Sequence, residues 1–214
     1  MCCNSRQANA DAQRETWIKD IPEGIDYKFF FGRGMDREPE DDEVFVDCSD
    51  GYRGLPSKVW LALKWAKEHG YDYVFKTDDD VYIRPERLLT CGFEKHDYIG
   101  RYFQEYACGL AYWVNKRSID VLAGSPEPQE GAEDQWVGKT LAAAGIVCQN
   151  DERYHLVMRV RPGSKEFLRV QPPDCFNDMI AVAEFAGKAM LEPHRIWNDS
   201  LIEYQDVLDS ITIS

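Results

Sequence analysis

Three consecutive aspartates, Asp78-Asp79-Asp80, are the strongest chemical signal in this chain of 214 residues. Neighbouring carboxylates raise one another's pKa, so three ionised groups stay together most easily when a cation compensates them. Oxygen ligands of this kind suit Mg²⁺ or Mn²⁺. The triplet therefore predicts a divalent-metal site, and the alternative is a solvated acidic turn.

A second pair of carboxylates, Glu133-Asp134, stands at the predicted start of a helix, after a Pro-bearing loop at 125–131. Acidic residues often only cap a helix at this position, because the helix dipole and the free backbone amides favour negative charge. An ionised carboxylate within hydrogen-bond reach of a substrate hydroxyl can instead act as a general base. The spacing leaves both interpretations open.

Two histidines and two tryptophans are weaker candidates for the same site. His155 and His194 could ligate a metal, although a single histidine more often has a structural role. Trp113 and Trp136 flank the acidic motifs, and each could either offer an aromatic face to a sugar or pack in the core.

Alternating strand and helix patterns predict how these residues are positioned. A buried strand, Tyr73-Val74-Phe75, runs directly into the triplet, and open α/β sheets bind their ligands at the carboxyl ends of strands. The pattern indicates a single α/β domain over residues 1–214. Its further predicted strands are 27–31, 44–46, 98–100, 109–114, 167–170 and 180–182, and its predicted helices are 56–69, 116–123, 134–144 and 200–208.

Composition narrows the possible partners. The chain has 38 acidic and 25 basic side chains and a net charge of -13. A strongly acidic protein gains nothing from counterion release, which argues against nucleic acid as a partner. A phosphate-bearing substrate would need a local cation pocket or a metal ion. The hydrophobic content of 44% is ample for a core.

The sequence contains no apolar stretch long enough for a transmembrane helix, and residues 1–6 lack the apolar core of a secretory signal. Seven cysteines in no zinc-type spacing favour reduced thiols in a cytoplasmic protein. The alternative is a protein of the Golgi lumen, if the sequence is a piece of a longer chain. Nothing in the sequence indicates an oligomeric state.

Five segments together resemble the motifs of β-1,3-galactosyltransferases and Fringe-type glycosyltransferases, in the order of that family. These segments are Arg14-Glu15-Thr16-Trp17, then 52–58 (Tyr-Arg-Gly-Leu-Pro-Ser-Lys), 76–82 (Lys-Thr-Asp-Asp-Asp-Val-Tyr), 108–114 (Cys-Gly-Leu-Ala-Tyr-Trp-Val) and 133–138 (Glu-Asp-Gln-Trp-Val-Gly). An ordered set of five is far more specific than any one member.

The resemblance implies a GT-A fold, which is a Rossmann-like mixed sheet flanked by helices that binds a UDP-sugar with Mn²⁺, or Mg²⁺, as cofactor. It divides the chain into a nucleotide-sugar-binding half at about 1–90, an acceptor and catalytic half at about 91–185, and a tail at 186–214. Asp80 would be the direct metal ligand, with Asp78 and Asp79 placing the ribose and metal-bound waters. His155 lies where the family has a metal-binding histidine.

The same resemblance implies the remaining roles. Arg14 and Lys58 would face the uridine diphosphate, Asp134 would be the catalytic base, and Glu133 would be its neighbour or an acceptor contact. The expected acceptor-binding residues are Gly109, Trp113 and Trp136.

These features predict an inverting, metal-dependent hexosyltransferase. It would move galactose or an N-acetylglucosamine-type sugar from a UDP-sugar to a hydroxyl of a glycan acceptor, in a β-1,3 linkage. Two alternatives stay open: a metal-dependent phosphoesterase that uses the same aspartates, and a non-catalytic carbohydrate-binding relative.

Overall fold

The structure is a computed structural model that describes residues 1–103, 105–154, 156–157 and 180–183. Its helices are α1 (Gln7–Glu15), α2 (Leu55–Glu68), α3 (Pro85–Leu88), α4 (Lys116–Gly124) and α5 (Glu133–Ala143). Its strands are β1 (Phe29–Phe31), β2 (Glu43–Phe45), β3 (Tyr73–Thr77), β4 (Val81–Ile83), β5 (Tyr98–Phe103), β6 (Tyr106–Asn115), β7 (Gln149–Asn150), β8 (Leu156–Val157) and β9 (Ala181–Ala183).

The largest sheet has the strand order β3-β6-β5-β7. β6 is antiparallel to both β3 and β5, whereas β5 and β7 are parallel, so the sheet is mixed. In its register Lys76 pairs with Tyr112 and Thr77 with Ala111. The end of β3, where the three aspartates begin, therefore lies beside the middle of β6.

Two smaller sheets adjoin this one. β1 and β2 form a parallel pair, and β9 lies between β4 and β8. The extended start of the chain lies between β1 and the end of β3, because the Cys2 amide donates to the Phe30 carbonyl (3.1 Å) and the Met1 nitrogen to the Thr77 carbonyl (2.5 Å).

The two faces of β6 are buried in different hydrophobic clusters. Ala111 and Trp113 belong to a cluster with residues of α1, β1 and β4, whereas Tyr112 and Val114 pack with apolar residues of α2, α4 and α5. Side chains of successive strand residues point to opposite faces, so this alternation means that the sheet is covered on both sides. The central sheet is thus a rigid support for both acidic motifs.

The α/β architecture, with a mixed sheet flanked by helices, is confirmed. Most predicted elements are present with ends shifted by a few residues, and the predicted N-cap Asn115 accepts a hydrogen bond from the Ser118 amide (3.1 Å). The sequence did not predict α1, α3, β4, β7 or β8. The predicted strand at 167–170 and helix at 200–208 lie outside the described residues. None of the described helices is long and apolar enough to cross a bilayer.

Candidate active site

The three aspartates occupy the tight connection between β3 and β4. Asp78 accepts from the Lys76 ammonium (2.7 Å). Asp79 is buried and accepts from the Arg6 guanidinium (3.2 Å) and the Asn9 amide (3.4 Å), both on or next to α1. Asp80 contacts the same Arg6 nitrogen at 3.3 Å. Asp79 and Asp80 therefore share one half-exposed arginine, whereas Asp78 is paired with a buried lysine.

The backbone of this connection is held from one side by α1. Gln13 is buried, and its Nε2 donates to the carbonyls of Asp78 and Val81, each at 3.0 Å. One side chain thereby fixes both ends of the acidic turn, which orients the aspartates relative to the sheet.

Asp80 lies in surroundings with an excess of negative charge. Burial, followed by the charges of Asp78 and Asp79, raises the pKa of Asp80 from an ordinary value of 3.8 to about 6, although Arg6 acts in the opposite direction. A carboxylate in this state gains from an additional cation, and its oxygens suit Mn²⁺ or Mg²⁺. The chemistry of Asp80 thus fits the predicted metal ligand, whereas the predicted partner His155 lies outside the described residues.

Lys76 joins the acidic turn to the second acidic motif. Its side chain is 2% exposed, and its ammonium lies 2.7 Å from Asp78 Oδ1 and 3.5 Å from Glu133 Oε2, and also donates to the Gly109 carbonyl. Burial alone would lower the pKa of Lys76, but the charges of Asp78 and Glu133 outweigh it and raise that pKa. The structure therefore places Asp78, Gly109 and Glu133 around one buried cation.

The two carboxylates at the start of α5 differ in accessibility. Glu133 is 3% exposed and accepts from the Tyr112 hydroxyl, and burial raises its pKa despite the Lys76 charge and the Tyr112 hydrogen bond. Asp134 is half-buried. Of the two, Asp134 is the carboxylate that a substrate could reach, and Glu133 is part of the support beneath it.

Two glycines allow α5 to approach β6 this closely. A Cβ at Gly109 would lie 2.8 Å from Glu133 Oε2 and 3.6 Å from Asp134 Oδ2. A Cβ at Gly138 would lie 2.2 Å from the Cβ of Tyr106. Both motif glycines therefore serve the close contact between strand and helix that brings Asp134 to the site. Gly109 lies beside both carboxylates, and its acceptor role stays a prediction.

Both predicted nucleotide contacts, Lys58 and Arg14, are paired with carboxylates of this chain, and their contact with a nucleotide stays a prediction. Lys58 is 2% exposed, and its ammonium donates to Asp50 Oδ1 (2.8 Å) and to the Cys2 carbonyl (2.5 Å). Arg14 donates to both oxygens of Asp42 (2.8 and 2.9 Å) and to Glu43 (2.9 Å). Their observed role is to hold loops in place.

The two tryptophans also differ from each other. Trp113 is buried, and its ring stacks on Phe93 with the centroids 4.0 Å apart and the planes 8° apart. This is the core-packing alternative, so the prediction that Trp113 contacts the acceptor is wrong for the described structure. Trp136 is half-buried beside the cluster formed by α2, α4 and α5, and its acceptor role stays a prediction.

A different acidic group has the tightest arrangement of possible ligand atoms within the described part of the chain. One oxygen from each of Glu40, Asp42 and Glu43 lies within 4.8 Å of the others. Arg14 and Arg37 already pair with Asp42 and Glu43 of this group, with Arg37 donating to both oxygens of Glu43 (2.6 and 2.8 Å). We therefore assign this acidic loop a structural role.

Sequence reasoning missed three residues of the site: Arg6, Lys76 and Tyr112. The alternation of strand residues contained a signal for the last two. Lys76 and Tyr112 are polar residues within buried strands that pair with each other in the register. A buried lysine in such a position needs a carboxylate partner.

Part of the chain is similar to known proteins. Residues 9–95 match the family model described as Galactosyltransferase. The chain is 29% identical over 134 residues to UDP-GalNAc:beta-1,3-N-acetylgalactosaminyltransferase 2 of Mus musculus, an alignment covering 49% of this chain and 27% of that protein. It is 32% identical over 99 residues to Probable beta-1,3-galactosyltransferase 12 of Arabidopsis thaliana, covering 37% of this chain and 27% of that protein.

These matches confirm the resemblance to the β-1,3-galactosyltransferase family that the sequence motifs indicated, and with it the GT-A type of fold. The chain spans about a quarter of the length of each of these relatives. The matched family segment contains the acidic turn, and it ends before α5.

Proposed function

We propose that this protein is an inverting, divalent-metal-dependent glycosyltransferase that moves a hexose from a UDP-sugar to a hydroxyl of a glycan acceptor, in a β-1,3 linkage. The observation that carries the proposal is the position of Lys76, whose ammonium contacts Asp78 of the acidic turn and Glu133 beside Asp134. This contact supports the proposal because it brings the predicted donor-side and acceptor-side motifs next to each other.

On the donor side, Asp80 is the residue that would hold the metal, with Asp78 nearby and His155 as the predicted further ligand. Bound Mn²⁺ or Mg²⁺ would supply positive charge for the leaving diphosphate. Asp79, in contrast, is buried and bound to Arg6 and Asn9, so its contribution is to fix the turn.

On the acceptor side, Asp134 would take the proton from the acceptor hydroxyl. The hydroxyl oxygen forms a bond to the anomeric carbon on the face opposite the diphosphate, and the bond from that carbon to the diphosphate oxygen breaks with its electron pair. This single in-line displacement inverts the anomeric configuration. Glu133 is buried and already bound to Tyr112, which leaves Asp134 as the base.

The names of the relatives indicate the class of sugar that is transferred, but not the particular sugar. Their names specify galactose and N-acetylgalactosamine, both transferred in a β-1,3 linkage. The first donors to test are therefore UDP-galactose and UDP-N-acetylgalactosamine, with UDP-N-acetylglucosamine as the third, because the sequence motifs alone favoured galactose or an N-acetylglucosamine-type sugar.

The proposal is tested by measuring transfer from these three donors to a panel of glycan acceptors, with Mn²⁺ and with EDTA. Asp134→Asn should lower the transfer rate at least 100-fold, since general-base catalysis contributes about 10²–10⁴. The affinity for UDP with Mn²⁺ should stay within about threefold of wild type. Asp72→Asn, which removes an exposed aspartate paired with Lys116, is the control.

Two outcomes would contradict this assignment. If Asp134→Asn lost UDP binding rather than transfer, the base would be assigned wrongly. If the wild-type protein hydrolysed an aryl phosphate and transferred no sugar, the phosphoesterase alternative would replace the proposal.

A further inference from the structure

We propose that Lys76 is a positioning residue that ties the acidic turn to the start of α5 and so sets the position of Asp134 relative to the donor. This inference rests on the proposed function. It concerns a residue that would touch neither the sugar nor the acceptor and would act through Asp78 and Glu133.

Three acceptor oxygens surround the Lys76 ammonium, two as hydrogen-bond acceptors and one as an ion-pair partner at 3.5 Å. An ammonium group has three N–H donors. The acceptors around Lys76 are Asp78 Oδ1, the Gly109 carbonyl and Glu133 Oε2, which belong to the acidic turn, to β6 and to α5 respectively. Three separate chain segments therefore meet at one nitrogen atom.

Burial makes this junction rigid. Lys76 and Glu133 are 2% and 3% exposed, so water cannot replace either partner without opening the contact between strand and helix. Glu133 is held from a second side by the Tyr112 hydroxyl. Since Glu133 is the first residue of α5, fixing its carboxylate also fixes the adjacent Asp134.

A second buried lysine, Lys58, has partners outside the acidic turn and α5 and therefore serves as a comparison. Lys58 is as buried as Lys76 and also pairs with an aspartate, Asp50. Its partners are Asp50 and the Cys2 carbonyl, none of which belongs to the acidic turn or to α5. Lys58 therefore offers a matched comparison for the loss of a buried ammonium.

The first measurement is hydrogen–deuterium exchange of the full chain, comparing wild type with Lys76→Met and Lys58→Met. Methionine keeps the length of the side chain and removes the charge. We expect Lys76→Met to speed amide exchange at least tenfold in residues 133–138. Lys58→Met should leave exchange there unchanged and speed it instead around residues 48–54. Unchanged exchange at 133–138 in folded Lys76→Met would overturn the proposal.

The second measurement separates positioning from stability. Lys76→Met leaves Glu133 as an unpaired buried charge, so the double variant Lys76→Met/Glu133→Gln should regain most of the thermal stability that the single variant loses. For a positioning residue, kcat at saturating donor and acceptor should stay at least tenfold below wild type in the double variant. Recovery of kcat together with stability would show a purely structural role and overturn the proposal.

If Lys76→Met does not fold, the double variant carries both measurements. If neither variant folds, the exchange and kcat measurements are made on Glu133→Gln alone. Its side-chain amide can still accept from Tyr112, but it no longer offers a charge to Lys76. It should lower kcat several-fold and speed exchange at 133–138, and an unchanged protein would overturn the proposal. A wild-type protein that transfers no sugar refutes the proposed function instead, and the exchange experiment still tests the junction.

Discussion

Two acidic regions of this protein look alike in sequence and differ in how their charge is compensated. In the acidic loop formed by Glu40, Asp42 and Glu43, two arginines donate to the carboxylates at 2.6–2.9 Å. In the acidic turn, Asp78 is bound to the buried Lys76, and one half-exposed guanidinium serves both Asp79 and Asp80 at 3.2 and 3.3 Å. Among the described residues each region has three carboxylates and two basic partners, but the arginines of the loop donate at shorter distances than the one arginine that serves Asp79 and Asp80.

The pKa values of single carboxylates express this difference. Burial alone would raise the pKa of Glu43, but hydrogen bonds from Arg37, the Glu40 amide and Arg14 lower it to about 2. Burial and the neighbouring aspartates raise the pKa of Asp80 to about 6. The ionised form of Glu43 thus stabilises the fold, whereas the ionised form of Asp80 destabilises it, and their different partners explain the difference. A carboxylate with a raised pKa, like that of Asp80, is typical of functional sites.

The largest expected effect is on sugar transfer. Asp80→Asn should lower metal-dependent transfer at least 100-fold, because it removes the predicted metal ligand. Asp42→Asn, the matched change in the acidic loop, should leave transfer within about twofold. Both are measured as initial rates with Mn²⁺ present. Equal losses in the two variants would remove the functional distinction between the regions.

The next effect is on folding stability, with opposite signs in the two regions. Glu43→Gln should lower the free energy of unfolding at pH 7 by about 2 kcal/mol, since it weakens charge-assisted hydrogen bonds. Asp80→Asn should raise it by about 1 kcal/mol after allowance for the partial exposure of Asp80. Urea unfolding in EDTA measures both, and two changes of the same sign would contradict the comparison.

The same variants should differ in pH dependence. The folded-state pKa of Glu43 is lowered, so its stabilising effect is present above its ordinary value of 4.5 and lost as the pH falls towards 2. The folded-state pKa of Asp80 is raised, so its cost is absent below 3.8 and complete only above about 6. The stability gain of Asp80→Asn should therefore disappear at pH 3.5.

The smallest expected effect concerns metal affinity. Arg6 contacts Asp80 and so competes with a metal ion for the same carboxylate. Arg6→Gln should tighten binding of Mn²⁺ alone by a few-fold, measured by calorimetry, whereas Arg37→Gln in the acidic loop should leave that affinity unchanged. Weaker Mn²⁺ binding by Arg6→Gln would mean that Arg6 supports the site rather than competing for it.

The sequence predicted the parts of this site that depend on local pattern. The strand before Asp78, the helix that begins at Glu133 and the N-cap Asn115 each follow from residues close together in the chain. The partners of Arg14, Lys58 and Lys76 could not be predicted in this way. They lie up to 57 positions away in the chain, so only the packing of the sheet determines them.

The two tryptophans illustrate the same limit. Trp113 and Trp136 have equivalent positions relative to the motifs, yet only Trp113 is stacked in the core, because it points to the face of β6 that is covered by Phe93. Which face of a buried strand meets a neighbouring loop depends on the tertiary fold. A motif therefore predicts which chain segments lie together more reliably than it predicts the surroundings of each residue in them.

We propose that the acidic turn uses a divalent cation to bind the donor diphosphate at a site shared with Asp134. Calorimetric titration of the wild-type protein with UDP, once with Mn²⁺ and once with EDTA, tests this most directly. We predict saturable binding with Mn²⁺ and at least 100-fold weaker binding with EDTA. UDP binding of equal strength under both conditions, or no binding under either, would contradict it.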